Sequence, residues 1–246
     1  MGQIIINADD FGLSQGVNRG IYHLFKQQVV TSASFMVNLP GFDQGIQILR
    51  ADPWLSVGLH LNLTYGRPLL PQSEVETLVD GQGNFFKKPA QVLGKGSLSE
   101  MEKEFRAQAE RFLVTGFRPT HLDTHHDLHV DLRVLRILIK LAKVYNIPVI
   151  RRQHPEELAK YGLRTTDACI QKTFWQDNGS EKWHELLANL PGGVTEIVCH
   201  PGYVDEDLIK ISPWIGEREK ELAFFLDFRV LQAIRASGNQ LIGRKI

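Results

Sequence analysis

Cysteine is scarce in this chain. Cys169 and Cys199 are the only two in 246 residues, and their spacing matches no paired motif, so there is no disulfide framework to read. Cys199 falls inside an apolar, strand-like run, where core packing is its expected role. An excess of one charge is also missing: 28 Lys and Arg balance 28 Asp and Glu, which leaves no electrostatic footprint for nucleic acid. The short basic pairs Lys87-Lys88 and Arg151-Arg152 read as solvated loop or substrate-contact residues. No apolar run approaches the roughly 18 residues of a membrane span. The chain enters a strand-like segment almost at once, without the basic and then apolar stretch of a secretory signal. Gly2 does not open a myristoylation motif, because Ile6 stands where Ser or Thr is required. The expectation is a cytoplasmic protein with neither nucleic-acid nor membrane partners.

What is present is a core and an alternating pattern. At 43% hydrophobic, residues 1–246 suit one α/β domain better than two. Strand-like runs at 3–8, 31–37, 56–61, 119–123, 148–151, 196–199 and 240–243 alternate with helical periodicity at 14–28, 41–51, 99–114, 131–145 and 217–236. That alternation predicts a parallel sheet with crossover helices, and the strand count suits an irregular or incomplete (β/α) barrel of the TIM-barrel kind. The helix at 99–114 starts on Ser99-Glu100-Met101-Glu102, which resembles a capping box. Two stretches, 65–96 and 152–179, lack periodicity and exceed ordinary connector length. Both follow candidate site strands, so they are expected to wall a cleft, with Phe85, Phe86 or Trp175 offering apolar faces or else anchoring the loops.

Chemistry is concentrated where the apolar runs stop. Ile4-Ile5-Ile6 leads into Asn7-Ala8-Asp9-Asp10-Phe11-Gly12, placing two carboxylates at the C-terminal end of a strand, where α/β sheets carry their sites. Side chains alternate across a pleat, so adjacent aspartates on a regular strand point to opposite sides and can hold different tasks. Asp-Asp-x-Gly alone also fits a turn leading into a helix cap. Six of the nine histidines, His60, His121, His125, His126, His129 and His200, cluster at or just after three other strand-like runs. One Asp and two His drawn from separate strand ends would give a metal three ligands and an open position.

Four segments carry a family resemblance: Asn7 to Ser14, Val57 to Thr64, Pro119 to His126, and Cys199-His200-Pro201-Gly202-Tyr203. They resemble, in order, the signature segments of the YdjC-like carbohydrate deacetylases, a family that includes chitooligosaccharide deacetylases acting on chitobiose-type sugars. The resemblance implies the same barrel, a magnesium ion, a homodimer, and hydrolytic removal of acetyl groups from N-acetylated sugars. Other members act on different acylated sugars or lipids.

Hydrolysing an acetamide requires an activated water, stabilisation of an oxyanion and a proton for the departing amine. From the residue types, Asp10, His60 and His125 form the expected metal set, Asp9 the general base and His200 the general acid. Which aspartate faces the metal stays open. One carboxylate and two imidazoles suit zinc or another first-row ion at least as well as magnesium. Asp123 is placed as a carboxylate orienting an imidazole, and His121 and His126 as makers of structural hydrogen bonds. His129 is expected to begin the next helix or to contact the loops. The same residues are compatible with a metal-dependent esterase or phosphoesterase, or with a sugar-binding protein whose site is silent.

Overall fold

The computed structural model describes residues 2–176 and 179–244. Among these residues seven strands are interspersed with ten α-helices: β1 (Gln3–Phe11), α1 (Gln15–Lys26), β2 (Ser32–Phe35), α2 (Phe42–Ala51), β3 (Ser56–Leu61), α3 (Pro89–Lys95), α4 (Leu98–Leu113), β4 (Leu122–Thr124), α5 (Leu132–Val144), α6 (Pro155–Lys160), β5 (Ala168–Ile170), α7 (Gly179–Ala188), β6 (Val194–Cys199), α8 (Glu206–Ile211), α9 (Gly216–Leu226), α10 (Phe228–Ala236) and β7 (Gln240–Leu241). All pairings between these strands are parallel, in the order β4-β3-β2-β1-β6-β5. The expected α/β architecture with an irregular, incomplete barrel is what is found.

Its irregularities have local causes. β7 pairs only with Gln3 and Ile4 of β1, beneath the stretch of β1 that pairs with β2, so it fills a gap at the foot of the sheet. The strand expected at 148–151 is reduced to bridges of Ile150 with Leu122 and Val149 with Arg164, which partly close the curl beyond β4. A strand absent from the periodicity, β5, lies inside the 152–179 stretch, of which residues 177 and 178 fall outside the described residues. The long helix expected at 217–236 is two helices, because the Asp227 side chain accepts from Arg229 N and caps α10. The capping box expected at Ser99 is not made: α4 starts at Leu98, and Glu102 instead lies 3.5 Å from Arg106 and 2.5 Å from Lys140.

Burial explains the strand composition. Every residue of β1 after Gln3 is buried, as a parallel strand covered on both faces requires. α1 is capped by Ser14, whose hydroxyl accepts from Val17 N, and it buries Val17, Ile21 and Leu24 at helical spacing. The 65–96 stretch is held by α4: Glu104 accepts from Leu69 N at 3.0 Å and Leu70 N at 3.1 Å, and Glu100 from Thr77 N at 2.9 Å. Phe85 is buried in the core and Phe86 packs against it, so these rings anchor the loop. No helix among the described residues is long and apolar enough to cross a membrane.

Candidate active site

β1 does not end as a regular strand. Its register with β2 shifts between Ala8 and Phe11, and Asp10 takes a left-handed conformation with φ of 68°. Asp tolerates that region better than most residues. The turn is completed at Gly12, with φ of 94°, where an added Cβ would lie 2.2 Å from Met36 O. Asp9 and Asp10 therefore both line one pocket, and the expectation that they point to opposite sides is corrected. The pocket, of about 390 Å³, is also lined by His60, His125 and His200 from the ends of β3, β4 and β6. A larger cavity of about 590 Å³, around Phe25, Trp54 and Leu231, contains none of these residues.

Asp10 Oδ1 lies 3.0 Å from His125 Nδ1 and 3.4 Å from His60 Nε2, but it makes no aligned hydrogen bond and is fully buried. Its Oδ2 accepts from Arg218 Nη2 at 2.6 Å. One ligand atom from each of Asp10, His60 and His125 falls within 4.8 Å of the others, a donor set that fits a divalent cation. His60 is fixed for that task because its Nδ1 bonds Asp123 Oδ1 at 2.8 Å, which turns Nε2 toward Asp10. Burial alone lowers the His60 pKa, but the Asp123 and Asp9 carboxylates outweigh it and raise the imidazole to about 10. The cluster thus attracts positive charge, whether proton or metal. A second group, Asp9, His60 and Asp123, also brings one ligand atom from each residue within 4.8 Å of the others. It is the poorer cation site, because the Arg151 guanidinium already lies 2.6 Å from Asp9 and 2.9 Å from Asp123.

Asp9 is gripped through both oxygens, by Arg151 Nη1 at 2.7 Å and Nη2 at 2.6 Å, and Asn7 Nδ2 donates to it at 2.7 Å. Burial would raise its pKa, but Arg151 and His60 hold it below the ordinary carboxylate value. His200 sits across the pocket with Nε2 3.9 Å from Asp9 Oδ2 and its ring 5.1 Å from that of Trp214. Burial pushes its imidazole down to about 4. Glu221 accepts from His200 N at 2.6 Å and lies 3.9 Å from His200 Nδ1, while burial raises this carboxyl to about 7.

Several residues occupy other places than the sequence implied. Arg151 is buried in an ion-pair network that also holds Glu196 at 2.9 Å, so it is not a solvated loop residue. His121 accepts or donates at Ser34 Oγ (3.1 Å) and Thr120 Oγ1 (3.0 Å), the structural role expected. His126 instead lines the pocket, its ring centroid 3.9 Å from that of His125, because His126 and Asp127 take left-handed conformations and turn the chain there. His129 bonds Thr124 within the core. Trp175 does not line the pocket and lies beneath Lys220, whereas Tyr65 and Trp214 supply the aromatic walls. Arg218, Glu221 and Trp214 escaped the sequence reading altogether. The one available signal was Arg218 and Glu221 standing on the same helical stripe as Leu222 and Phe225.

A family model described as YdjC-like protein matches residues 3–236. The chain belongs to the YdjC-like family. A carbohydrate deacetylase of Thermoanaerobacter pseudethanolicus is 36% identical over 96% of this chain and 95% of its own length. One from Clostridium beijerinckii is 36% identical over 99% of both chains. Among solved structures, a putative cellobiose-phosphate cleavage protein from Enterococcus faecalis superposes with a TM-score of 0.87 at 32% identity, covering 99% of this chain and 98% of that one. A family 4 carbohydrate esterase from Streptomyces lividans shares the fold at a TM-score of 0.51 and 14% identity, over 98% of this chain and 91% of its own. The four YdjC-like segments meet at the pocket: Asp9 and Asp10, His60, His125 and His200 each come from a different one.

Proposed function

We propose that this YdjC-like protein is a metal-dependent carbohydrate deacetylase that hydrolyses the acetamide of N-acetylated sugars, chitooligosaccharides such as N,N'-diacetylchitobiose foremost, with residues 1–246 acting as one catalytic domain. The observation that carries the reading is the pocket in which Asp10, His60 and His125 form a compact donor set flanked by Asp9 on one side and His200 on the other. The full-length similarity to carbohydrate deacetylases supports it.

Asp10, His60 and His125 would hold the ion. Once bound, a divalent cation supplies polarisation of the acetyl carbonyl and a lowered pKa for the attacking water. The magnesium implied by the family is compatible with this pocket, and zinc is better matched to its two imidazoles. Asp9 accepts the proton that water loses on adding to the carbonyl carbon, since Arg151 keeps its carboxylate ionised. As the C–N bond breaks, the nitrogen takes a proton from His200. Glu221 accepts from the His200 backbone N–H at 2.6 Å and so holds the imidazole at the pocket, where its Nε2 faces Asp9. The products are acetate and a free amine on the sugar. Tyr65, His126 and Trp214 form the walls against which the ring would lie.

The deciding experiment is acetate and amine analysis of the di- and trisaccharides of N-acetylglucosamine incubated with the protein and magnesium, zinc or cobalt. Equal release of acetate and amine, stopped by a chelator and restored by metal, is expected. Background release with every metal removes the chitooligosaccharide assignment. Phosphate released from a phosphorylated sugar, without acetate, would replace it with phosphoesterase activity.

A further inference from the structure

The buried stripe of α9 runs Arg218, Glu221, Leu222, Phe225. Its second half is ordinary core, but its first turns place an arginine and a glutamate, each nearly inaccessible, against the site. A buried arginine is costly unless its donors are used. Two of those of Arg218 reach different parts of the pocket: Nη2 donates to Asp10 Oδ2 at 2.6 Å and Nε donates to Trp214 O at 3.2 Å, while the buried Nη1 has no partner among the described residues. Its backbone carbonyl accepts from Gly202 N at 3.3 Å, in the loop that follows His200. Three residues further on, Glu221 holds the backbone N–H of His200 itself.

We propose that Arg218 is a positioning residue for the metal site, a role resting on the reading of Asp10 as a ligand. By occupying Asp10 Oδ2 it leaves Oδ1 as the single oxygen facing His60 and His125, and it locks the carboxylate in the left-handed turn where rotation would otherwise be free. Together with Glu221 it makes α9 the element that fixes the spacing between Asp10 and His200. The guanidinium fork matters here, because one planar group must satisfy a carboxylate and a carbonyl at once; an ammonium at the end of a lysine chain does not reproduce that geometry.

The test is titration of the metal-depleted full chain with Zn²⁺, comparing wild type with Arg218→Lys and Arg218→Gln, each checked by thermal melting, with wild type titrated with Mg²⁺ and Co²⁺ as well. Lys keeps the positive charge and loses the fork; Gln loses the charge. Positioning predicts that both bind zinc more weakly, by about 10- to 100-fold, the usual loss for an outer-shell partner. If only the charge mattered, Lys would match wild type and Gln would bind more tightly, because a cation beside the site has been removed; that result overturns the proposal. Unchanged affinity in both overturns it as well, and assigns Arg218 to stability alone. Should Gln fail to fold, the Lys variant still decides, since charge is held constant in it. Failure of wild type to bind zinc, magnesium or cobalt would instead refute Asp10 as a ligand, and so separates the two ideas.

Discussion

Replacing Asp123 by Asn perturbs the site without replacing a proposed ligand, and the structure sets both the direction and the size of the effect. The ionised carboxylate is acceptor-only: Oδ1 accepts from His60 Nδ1 at 2.8 Å, and Oδ2 accepts from Ser34 Oγ at 2.6 Å while lying 2.9 Å from Arg151 Nη2. An asparagine side chain fails in either orientation. With its oxygen toward His60, its NH₂ faces the Arg151 guanidinium, which can only donate, although the Ser34 hydroxyl can turn to accept. With its oxygen toward Arg151, its NH₂ faces His60 Nδ1, which must then become the acceptor, moving the imidazole proton to Nε2 and removing the lone pair that faces Asp10. One buried charge-assisted hydrogen bond is lost in each case, about 1.5–3 kcal/mol. Arg151 keeps Asp9 and Glu196, so the loss should stay below the roughly 3–5 kcal/mol of a buried ion left alone. Expressed as affinity, this is about 10- to 100-fold weaker zinc binding, read by competition with a calibrated chelator, alongside urea unfolding of the metal-depleted protein. Zinc affinity within twofold of wild type, in a variant that melts normally, would refute the tautomer reasoning.

Asp9→Asn should retain zinc but lower kcat by about 10²- to 10⁴-fold, the usual contribution of a positioned proton acceptor; zinc loss in this variant would mean that the two aspartates have exchanged roles. His200→Ala should lower kcat similarly and abolish the alkaline limb of the pH profile. An acid acts only while protonated, so persistence of that limb in the variant would exclude His200. Acid should destabilise the metal-depleted fold: burial holds His121, His129 and His200 at about 4 and His126 at about 3, below the ordinary 6.5, so the unfolded chain binds more protons between those values. The unfolding free energy then falls as pH drops from about 6.5 to 4, by up to about 1.4 kcal/mol per pH unit for each histidine, and the raised Glu221 and, from pH 7 to 6, the raised His60 offset about two of the four. Urea unfolding at pH 7, 6 and 5 that gives a flat or rising series would contradict this.

The parts of the fold carried by local pattern were legible in the sequence. Buried parallel strands announce themselves as apolar runs, which is why β1, β3 and β6, with the aspartates that close the first and the histidines that close the other two, could be placed. The rest depends on tertiary context. No periodicity encodes the left-handed turn at Asp10, so the side to which Asp9 and Asp10 point could not be read. Arg151 looks like any surface arginine until β1, β4 and β6 bring Asp9, Asp123 and Glu196 to it. Phe85 and Trp175 were credible sugar platforms by composition, whereas Tyr65 and Trp214 hold that place because the loops bearing them turn back over the strand ends. β5 is three residues long and half-buried, too short for its pattern to rise above that of a loop.

A zinc-soaked crystal, measured on both sides of the zinc absorption edge, tests the centre of this account most directly. The account predicts one strong anomalous peak bounded by Asp10 Oδ1, His60 Nε2 and His125 Nδ1, absent from crystals of His125→Ala. A peak between Asp9, His60 and Asp123, or one that survives in His125→Ala, would contradict it.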